Sequence, residues 1–447
     1  MSSEKCSVEM RSGTCGRDVV RTGKCIFHLD NKTQADTELF KREFLSYVAA
    51  SLEDSRLQIV DCTSFVFPPV VIVLSTKGQP KTFSKSIVFK RVQIQSMLVF
   101  SDATFEADSL ADFSGAIFKG NSRVDFSRAI FKGDSLADFS RAIFKGDSLA
   151  YFSGATFEND AKTDFSHARL KDKVELDLRD AILQRLDFSY FSIEETAKVR
   201  LGSVHRPDAQ DLSRASFLHT DVRLIDFGNV VWGRKPPGSI ADEHSIKHEG
   251  GPSYEDVVTL YRLLRQNYEQ KLRYSDAADF FVREMELLRT QPRYFGKKPA
   301  IDWSFDDLRI LYTLKNRVVW SMRVGLRLLR GLISIPAVYY VLAKYGESYR
   351  RVIAWSLASV VLIYPIFFSL LRRFYIALRT HSHAVSLENI LLQYPEEVNR
   401  GFRLFFQVFE LPTLDLFDLA FRLWSGLLLA VLYISLRRKL ERKPALT

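Results

Sequence analysis

Three of the four cysteines lie within the first 25 residues, and a histidine follows the third of them. Cys6, Cys15 and Cys25 precede His28, and the last two of these four form the local pattern Cys-Ile-Phe-His. Three thiolates and one imidazole suit tetrahedral Zn²⁺. A segment this short cannot bury a core of its own, so the metal would supply its folding energy. The sequence predicts a structural zinc site over residues 1–35; the alternative is three free cytosolic thiols and a surface histidine.

A second set of candidate residues lies near the carboxyl end, where charges enter an apolar run. Residues 423–436 are uncharged but number only fourteen, so a membrane span must extend back towards Leu416 and include Asp418 and Arg422. These two residues are four apart, which places them on one face of a helix. An ionisable pair inside a membrane indicates function; the alternative is that both side chains lie at the interface.

Other reactive residues lack the context that an enzyme needs. The sequence contains no phosphate-binding loop, no zinc-protease motif and no Ser-His-Asp pattern with usable context. His381 and His383 border an apolar run, with no cysteine or glutamate spaced to complete a site. We therefore predict that the protein is not an enzyme.

The distribution of charge indicates which parts of the chain would position these residues. The 447 residues carry a formal net charge of +10, from 63 Lys and Arg against 53 Asp and Glu. Residues 291–447 hold 23 of the basic and 11 of the acidic groups, which leaves 40 and 42 for residues 1–290. The basic excess coincides with the long apolar runs, which favours a membrane over nucleic acid as the partner.

The middle of the chain repeats itself. Residues 125–137 read DFSRAIFKGDSLA, and residues 138–150 read the same thirteen letters. Gly, Asp and Ser in every unit exclude a packed helix and predict short extended segments stacked coil on coil, a β-solenoid. Two phenylalanine ladders with the same step are predicted to fill its core: Phe113, Phe126, Phe139 and Phe152, and Phe118, Phe131, Phe144 and Phe157.

The Ala-x-Phe-x-x pattern within each unit resembles the pentapeptide-repeat family. The resemblance is best over residues 101–190 and implies a right-handed, four-sided β-solenoid, here placed over 101–235 behind an amino-terminal helix and cap at 36–100. Each thirteen-letter unit leaves a three-residue remainder, so bulges or small loops are expected. Residues 101–190 carry 16 acidic and 12 basic groups, a mixture that fits neither DNA mimicry nor nucleic-acid binding.

Helical patterns follow the solenoid, so we predict a multidomain protein. The apolar spacing from Ser253 predicts an α-helical hairpin connector over 253–290. Residues 300–350 mix arginines with apolar residues and predict basic interfacial helices. Residues 351–447 predict a two-helix transmembrane region whose first span is Val352–Leu371. The basic flanks place both termini in the cytoplasm, in a cell (inner) membrane with anionic lipids.

A wider resemblance joins these parts. The hairpin segments YRLLRQNYEQ and DAADFFVREME and the segment YGESYRRVIAWS before the first span look like prokaryotic membrane proteins that join pentapeptide repeats to a two-span, pore-loop cation-channel module. The resemblance implies a homo-oligomer. The sequence has no potassium-filter motif, and Gly401 is the sole glycine between the spans. In the pore-loop position, residues 405–418, the carboxylates of Glu410, Asp415 or Asp418 could form an acidic ring.

Two functional hypotheses follow from the sequence. The first is a membrane-anchored scaffold or regulatory subunit whose solenoid binds a cytoplasmic protein. The second is an ion-channel subunit with a divergent, non-potassium pore loop.

Overall fold

A computed structural model gives the fold, and it describes residues 4–206, 208–234, 237–246, 250–290, 335–368, 370–371, 374–375, 387–406 and 416–441. The chain divides into two compact units, Met1–Glu284 and Met285–Thr447. The first contains the β-solenoid and a pair of helices, and the second contains two long apolar helices. The multidomain fold class predicted from the sequence is confirmed.

The solenoid has four faces, each a parallel sheet to which a coil contributes at most one strand. The first face contains Ile59–Asp61, Ser86–Val88, Leu110–Asp112, Leu136–Asp138, Lys162–Asp164 and Arg185–Asp187. The second contains Val66–Phe67, Gln93–Ile94, Ile117–Phe118, Ile143–Phe144, Arg169–Leu170 and Ser192–Ile193. The third contains Val71–Ser75, Met97–Phe100, Arg123–Asp125, Leu149–Tyr151, Glu175–Asp177, Lys198–Arg200 and Ile225–Asp226. The fourth contains Thr82–Phe83, Thr104–Phe105, Ile130–Phe131 and Thr156–Phe157.

One coil contains two copies of the thirteen-letter unit. Phe105 pairs in register with Phe131, and Ile117 pairs with Ile143, so neighbouring coils are offset by two whole units. The three-residue remainder is therefore absorbed at the corners, and the central coils stack regularly. Towards the ends the step changes: it is one residue longer from Ile59 to Ser86 and three residues shorter from Lys162 to Arg185.

The two-unit coil divides each phenylalanine ladder into two stacks. Rings one coil apart lie face to face, as Phe105 and Phe131 do at 4.6 Å between centroids and Phe118 and Phe144 at 4.3 Å. Rings one unit apart meet edge to face across the core, as Phe113 and Phe126 do at 6.1 Å and 85°. All eight ladder residues are fully buried, which confirms their place in the core.

The polar letters of the repeat form the corners. The Asp125 carboxylate accepts a hydrogen bond from the Ser127 amide at 3.0 Å, and Asp138 accepts one from Ser140 at 2.8 Å. Such an Asx turn fixes the change of direction between two short strands. Two residues after Phe126, Arg128 adopts a left-handed conformation with a φ of 59°. Asp, Ser and Arg in the unit thus shape the turns, while Ala and Phe fill the core.

The solenoid begins earlier than the sequence indicated. An antiparallel hairpin, β1 (Glu9–Met10) and β2 (Gly13–Thr14), comes first, followed by α1 (Gln34–Glu53) and then by the first coil at Ile59. Segments that the sequence analysis placed in the cap before residue 101 therefore form coils. Helix α1 covers the amino-terminal end, because the ring of Phe40 packs on Phe67 at 5.2 Å.

The carboxyl-terminal end of the solenoid is covered by helices. This region contains the paired strands Gln210–Asp211 and Val230–Val231, a 3₁₀ turn at Val222–Leu224, the hairpin strands Gly233–Arg234 and Pro237–Ser239, α2 (Ala241–Ser245), α3 (Tyr254–Gln270) and α4 (Tyr274–Thr290). The Asn267 amide donates to the carbonyls of Val222 and Ile225, both at 2.8 Å. The predicted helical hairpin therefore covers the end of the last coil.

The second unit contains α5 (Ile335–Ala343), α6 (Tyr349–Ala358) continued by a π-helical segment (Ser359–Phe368), α7 (Leu387–Phe405) and α8 (Leu416–Glu441). Two stretches are long and apolar enough to cross a membrane, Tyr349–Phe368 and Leu416–Arg437. Their apolar side chains are largely exposed, for example Leu357 at 63% and Leu423 at 71%. A buried core helix of a soluble protein would hide these groups, whereas lipid would cover them.

The two apolar helices are antiparallel. Lys439, near the end of α8, lies 4.7 Å from the ring centroid of Tyr349, at the start of α6. At the other end, the Tyr364 hydroxyl donates to Asp418 at 2.6 Å. Helix α7, between the two stretches, had no counterpart in the sequence analysis. The predicted interfacial helices at 300–350 fall largely outside the described residues, which include α5.

Substitutions at two glycines of the repeat can test how tightly the corners of neighbouring coils pack. Gly120 and Gly133 share a left-handed backbone, with φ of 59° and 57°. A Cβ at position 133 would lie 2.7 Å from the Ala107 Cβ of the preceding coil, whereas a Cβ at 120 meets nothing within 4 Å. We expect Gly120→Ala to cost about 1 kcal/mol from backbone conformation alone. Gly133→Ala should cost about 1–3 kcal/mol more.

The measurement is thermal unfolding of the full chain in detergent, followed by the β-sheet circular dichroism signal. Equal losses of stability in the two variants would contradict this account of the corner.

Candidate metal centre and the polar cluster of the apolar helices

Two local structures bring the four predicted metal ligands together. In the first, Cys6 lies opposite the residues that follow the hairpin. The Cys6 amide donates to Arg17 O at 2.8 Å, and the Gly16 amide donates to Cys6 O at 3.0 Å. In the second, a tight turn directs Cys25 and His28 to the same side, because the His28 amide donates to Cys25 O at 3.1 Å.

The ligand atoms form a compact cluster of the size that a tetrahedral metal requires. The Sγ atoms of Cys15 and Cys25 are 3.7 Å apart, and His28 Nδ1 lies 3.2 Å from Cys25 Sγ and 3.5 Å from Cys6 Sγ. All four atoms lie within 4.8 Å of one another. Zinc–sulfur bonds of about 2.3 Å give tetrahedral edges of about 3.8 Å. The four residues can therefore hold one metal ion.

Residues outside the ligand set orient it. The Nε2 atom of His28 lies 3.4 Å from the carbonyl oxygen of Thr63, in the first coil. Metal-bound histidines usually donate their second ring N–H to such a carbonyl, which fixes the tautomer and leaves Nδ1 for the metal. The Arg17 guanidinium donates to Cys15 Sγ at 3.3 Å and lies over the rings of Phe27 and Tyr47.

The pKa values of the two neighbouring thiols shift in opposite directions. The hydrogen bond from Cys25 lowers the pKa of Cys15 to about 3, and burial opposes this shift. The same hydrogen bond, reinforced by burial, raises the pKa of Cys25. A divalent cation bound by both sulfurs would displace the proton of the hydrogen bond between them.

The cluster is built into the amino-terminal end of the solenoid. The Phe27 ring stacks on Phe65 at 4.6 Å, and Phe27 O accepts a hydrogen bond from the Val66 amide at 2.8 Å. Lys32 Nζ donates to Leu29 O at 2.6 Å and to Val66 O at 2.7 Å. Burial at this position lowers the pKa of Lys32 to about 8. The cluster and the first coil therefore share backbone and side-chain contacts.

Cys62 lies outside the ligand set. It is fully buried in the first coil. Burial raises its pKa well above the ordinary thiol value. Cys62 is therefore a core residue and serves below as a control.

A polar cluster joins three helices of the second unit. Asp418, only 1% exposed on α8, accepts a hydrogen bond from Tyr364 and forms a salt bridge with Arg400 on α7. Arg422, which the sequence spacing pairs with Asp418, lies partly buried one turn further along α8. Glu410 and Asp415, the other candidate pore residues, lie outside the described residues.

Gly401 allows the close approach that this cluster needs. A Cβ at position 401 would lie 2.9 Å from Cδ1 of Tyr364, so a larger residue would push α7 away from the π-helical segment. Trp424 on α8 adds a hydrogen bond from its indole nitrogen to Ser359 Oγ at 2.9 Å. Polar contacts therefore connect α7 and α8 to the first apolar stretch.

In comparisons with known proteins, no protein-family model matches this chain, and no curated protein matches it. Its function is therefore inferred from its own residues and geometry.

The partners of the predicted site residues were not visible in the sequence. Arg17 and Thr63 support the metal cluster, and Tyr364 and Arg400 surround Asp418. Arg17 carries one weak signal, since it is a basic residue two positions after a ligand. The other three come from elements that are distant in the chain, and no local pattern identifies them.

Asp418 and Arg400 should depend on each other. Arg400→Gln removes the salt-bridge partner of the buried Asp418 carboxylate and should cost about 3–5 kcal/mol, whereas Asp418→Asn removes the partner of the partly buried Arg400 and should cost less. The double variant removes both charges, so it should recover part of that loss. Arg403→Gln, at an exposed position one turn along α7, is the matched control and should have little effect.

Thermal unfolding of the detergent-solubilised chain, followed by the helical circular dichroism signal, provides the measurement. Additive losses in the double variant would show that the two charges are not coupled.

Proposed function

We propose that this protein is a membrane-anchored scaffold or regulatory subunit whose solenoid binds a cytoplasmic protein. The observation that carries the proposal is a solenoid with a filled core and covered ends, joined in one chain to two apolar helices. Phenylalanine stacks fill the interior, α1 covers one end and α3 covers the other. The outer faces therefore remain as the surface through which this rod can act.

The internal pattern of the coils supports a pentapeptide-repeat assignment. Ala116 and Phe118 are both fully buried, as are Ala129 and Phe131, so the small and the large residue of each Ala-x-Phe triplet point inward. This alternation on four sides is what the family resemblance implies. It leaves positions such as Ile117 and Ile130, between the small and the large residue, on the outer surface.

Membrane anchoring is proposed from the second unit. The antiparallel arrangement places both chain flanks of the two spans on one side, and the basic residues Arg350, Arg351 and Arg437 lie at that side. Arginines at this position favour a cytoplasmic location and contact with anionic lipids. We propose an inner-membrane protein with both termini in the cytoplasm, assembled as a homo-oligomer.

An ion-channel subunit with a divergent pore is the alternative. A pore-lining acidic ring requires side chains that face water. Asp418 is buried and bonded to Tyr364 and Arg400, which favours a role in helix packing over a role in a pore. We therefore place the scaffold first.

We propose further that Cys6, Cys15, Cys25 and His28 bind a structural Zn²⁺. Soft thiolates with one imidazole select zinc over oxygen-preferring cations. All four positions of a tetrahedral ion would be filled by protein, which leaves no place for a reactive water. The metal would fasten the amino-terminal segment to the first coil.

Metal analysis tests the zinc proposal. We expect the purified full chain to contain about one zinc per chain, and Cys25→Ser to lose most of it because one of four ligands is removed. Cys62→Ala should keep the metal, since Cys62 is outside the cluster. Metal-free wild-type protein, or equal zinc in Cys25→Ser, would refute the site.

Photo-crosslinking from one coil tests the scaffold. Leu136, Ile143, Leu149 and Ile130 lie on the first to fourth faces and point outward with partial exposure. A crosslinking amino acid placed at each position of the full chain, in native membranes, should capture one protein from one face or from two adjacent faces. A chain ending at residue 290 should lose carbonate-resistant membrane association. Equal labelling of many proteins from all four faces would contradict a dedicated partner surface.

A further inference from the structure

We propose that Cys15 and Cys25 form an oxidation site, at which a peroxide converts the two thiolates to a disulfide and releases the metal. The inference rests on the zinc site proposed above. It assigns to that site a chemical response that a purely structural metal does not require.

Accessibility selects Cys15 as the sulfur that an oxidant reaches first. Cys6 and Cys25 are each 1% exposed, and His28 is 2% exposed, whereas Cys15 is partly exposed. Cys15 directly follows the hairpin strand Gly13–Thr14, at the edge of the cluster. A small polar oxidant can therefore approach Cys15 Sγ while protein covers the other two sulfurs.

Arg17 makes the same sulfur reactive. Its guanidinium donates to Cys15 Sγ at 3.3 Å and is held by the Phe27 and Tyr47 rings, with centroids 4.8 and 4.6 Å from its central carbon. A fixed cation beside a thiolate stabilises the anion and assists the departure of hydroxide from a bound peroxide. Among the described residues, neither Cys6 nor Cys25 accepts a hydrogen bond from a guanidinium or ammonium group, although Lys32 interacts electrostatically with Cys25.

The resolving sulfur is already in place. Cys25 Sγ lies 3.7 Å from Cys15 Sγ, so modest side-chain movement brings the pair to the bonding distance of about 2.05 Å. Cys6 and Cys25 both approach His28 Nδ1, at 3.5 and 3.2 Å, so the short Cys15–Cys25 separation is the feature that distinguishes this pair. The geometry thus favours a disulfide between Cys15 and Cys25 over one that includes Cys6.

The step balances with hydrogen peroxide as the oxidant. The Cys15 thiolate attacks one peroxide oxygen, which breaks the O–O bond, gives a sulfenic acid and releases hydroxide. The Cys25 thiolate then attacks Cys15 Sγ, which forms the S–S bond and releases a second hydroxide. Two protons from solvent convert the hydroxides to water. Two electrons leave the sulfurs, peroxide is reduced to two waters, and the ion keeps only Cys6 and His28 as ligands.

Loss of the metal would destabilise the first coil of the solenoid, because the metal cluster and this coil share contacts. Phe27, two residues after Cys25, stacks on Phe65 and accepts the Val66 hydrogen bond of the first coil. Arg17 lies between the oxidised sulfur and these rings. Oxidation should therefore loosen the amino-terminal end of the rod and leave the central coils intact.

The experiment uses zinc-loaded full chain in detergent, treated with hydrogen peroxide. Released zinc is followed with a colorimetric chelator, and disulfides are mapped by mass spectrometry after alkylation. We expect about one zinc released per chain, in step with a Cys15–Cys25 disulfide, and recovery with dithiothreitol and zinc. Arg17→Met should slow release about ten-fold, and Arg17→Lys should restore much of the rate. Arg11→Met, at the tip of the same hairpin, is the matched control.

The outcomes separate this inference from the zinc proposal. If the untreated chain contains no metal, the zinc site is refuted, and the Cys15–Cys25 disulfide still tests the oxidation site by itself. If zinc is present but peroxide releases none, or yields a disulfide that includes Cys6 or Cys62, the oxidation site is overturned. An unchanged rate in Arg17→Met overturns the role of Arg17.

Discussion

The structure depends on the superposition of identical residues from one coil to the next. A step of two whole repeat units places each phenylalanine over another phenylalanine and each strand in register with its neighbour. Face-to-face rings and ladder hydrogen bonds then form together, so neither requires adjustment of the other. Because each coil contacts only its neighbours, stability in such an array approximates a sum of coil and interface contributions.

This arrangement makes the two ends the weak points. A terminal coil has one neighbour instead of two, and its strands present unpaired N–H and C=O groups. At the carboxyl end, the Asn267 amide satisfies two carbonyls of the last turn. At the amino end, the Tyr47 hydroxyl and Lys32 ammonium satisfy the carbonyls of Asp61 and Val66. Side chains thus donate hydrogen bonds to the carbonyl groups that a further strand would otherwise pair with.

The sequence predicted features that repeat or lie close together in the chain. The phenylalanine ladders predicted the solenoid, and the short spacing of the four candidate metal ligands before α1 predicted their cluster. The coil length could not be predicted, because a perfect thirteen-letter repeat does not show that two units make one turn of the solenoid. The solenoid start was missed because residues 59–100 keep the apolar spacing but not the repeat letters. The Asp418 cluster was missed because Tyr364 and Arg400 reach it from separate helices, 54 and 18 residues away.

The proposed metal at the amino end would stabilise a segment that has little apolar packing of its own. The segment before α1 has few apolar residues, and its buried groups are chiefly the ligands and Ile26, Phe27 and Leu29. Three aliphatic or aromatic side chains offset only part of the conformational entropy that is lost when some thirty residues become ordered. Metal binding contributes on the order of 10 kcal/mol in sites of this kind. A metal bound there would act where the coil has a single neighbour, so we expect a change at the cysteines to affect the end of the rod before its centre.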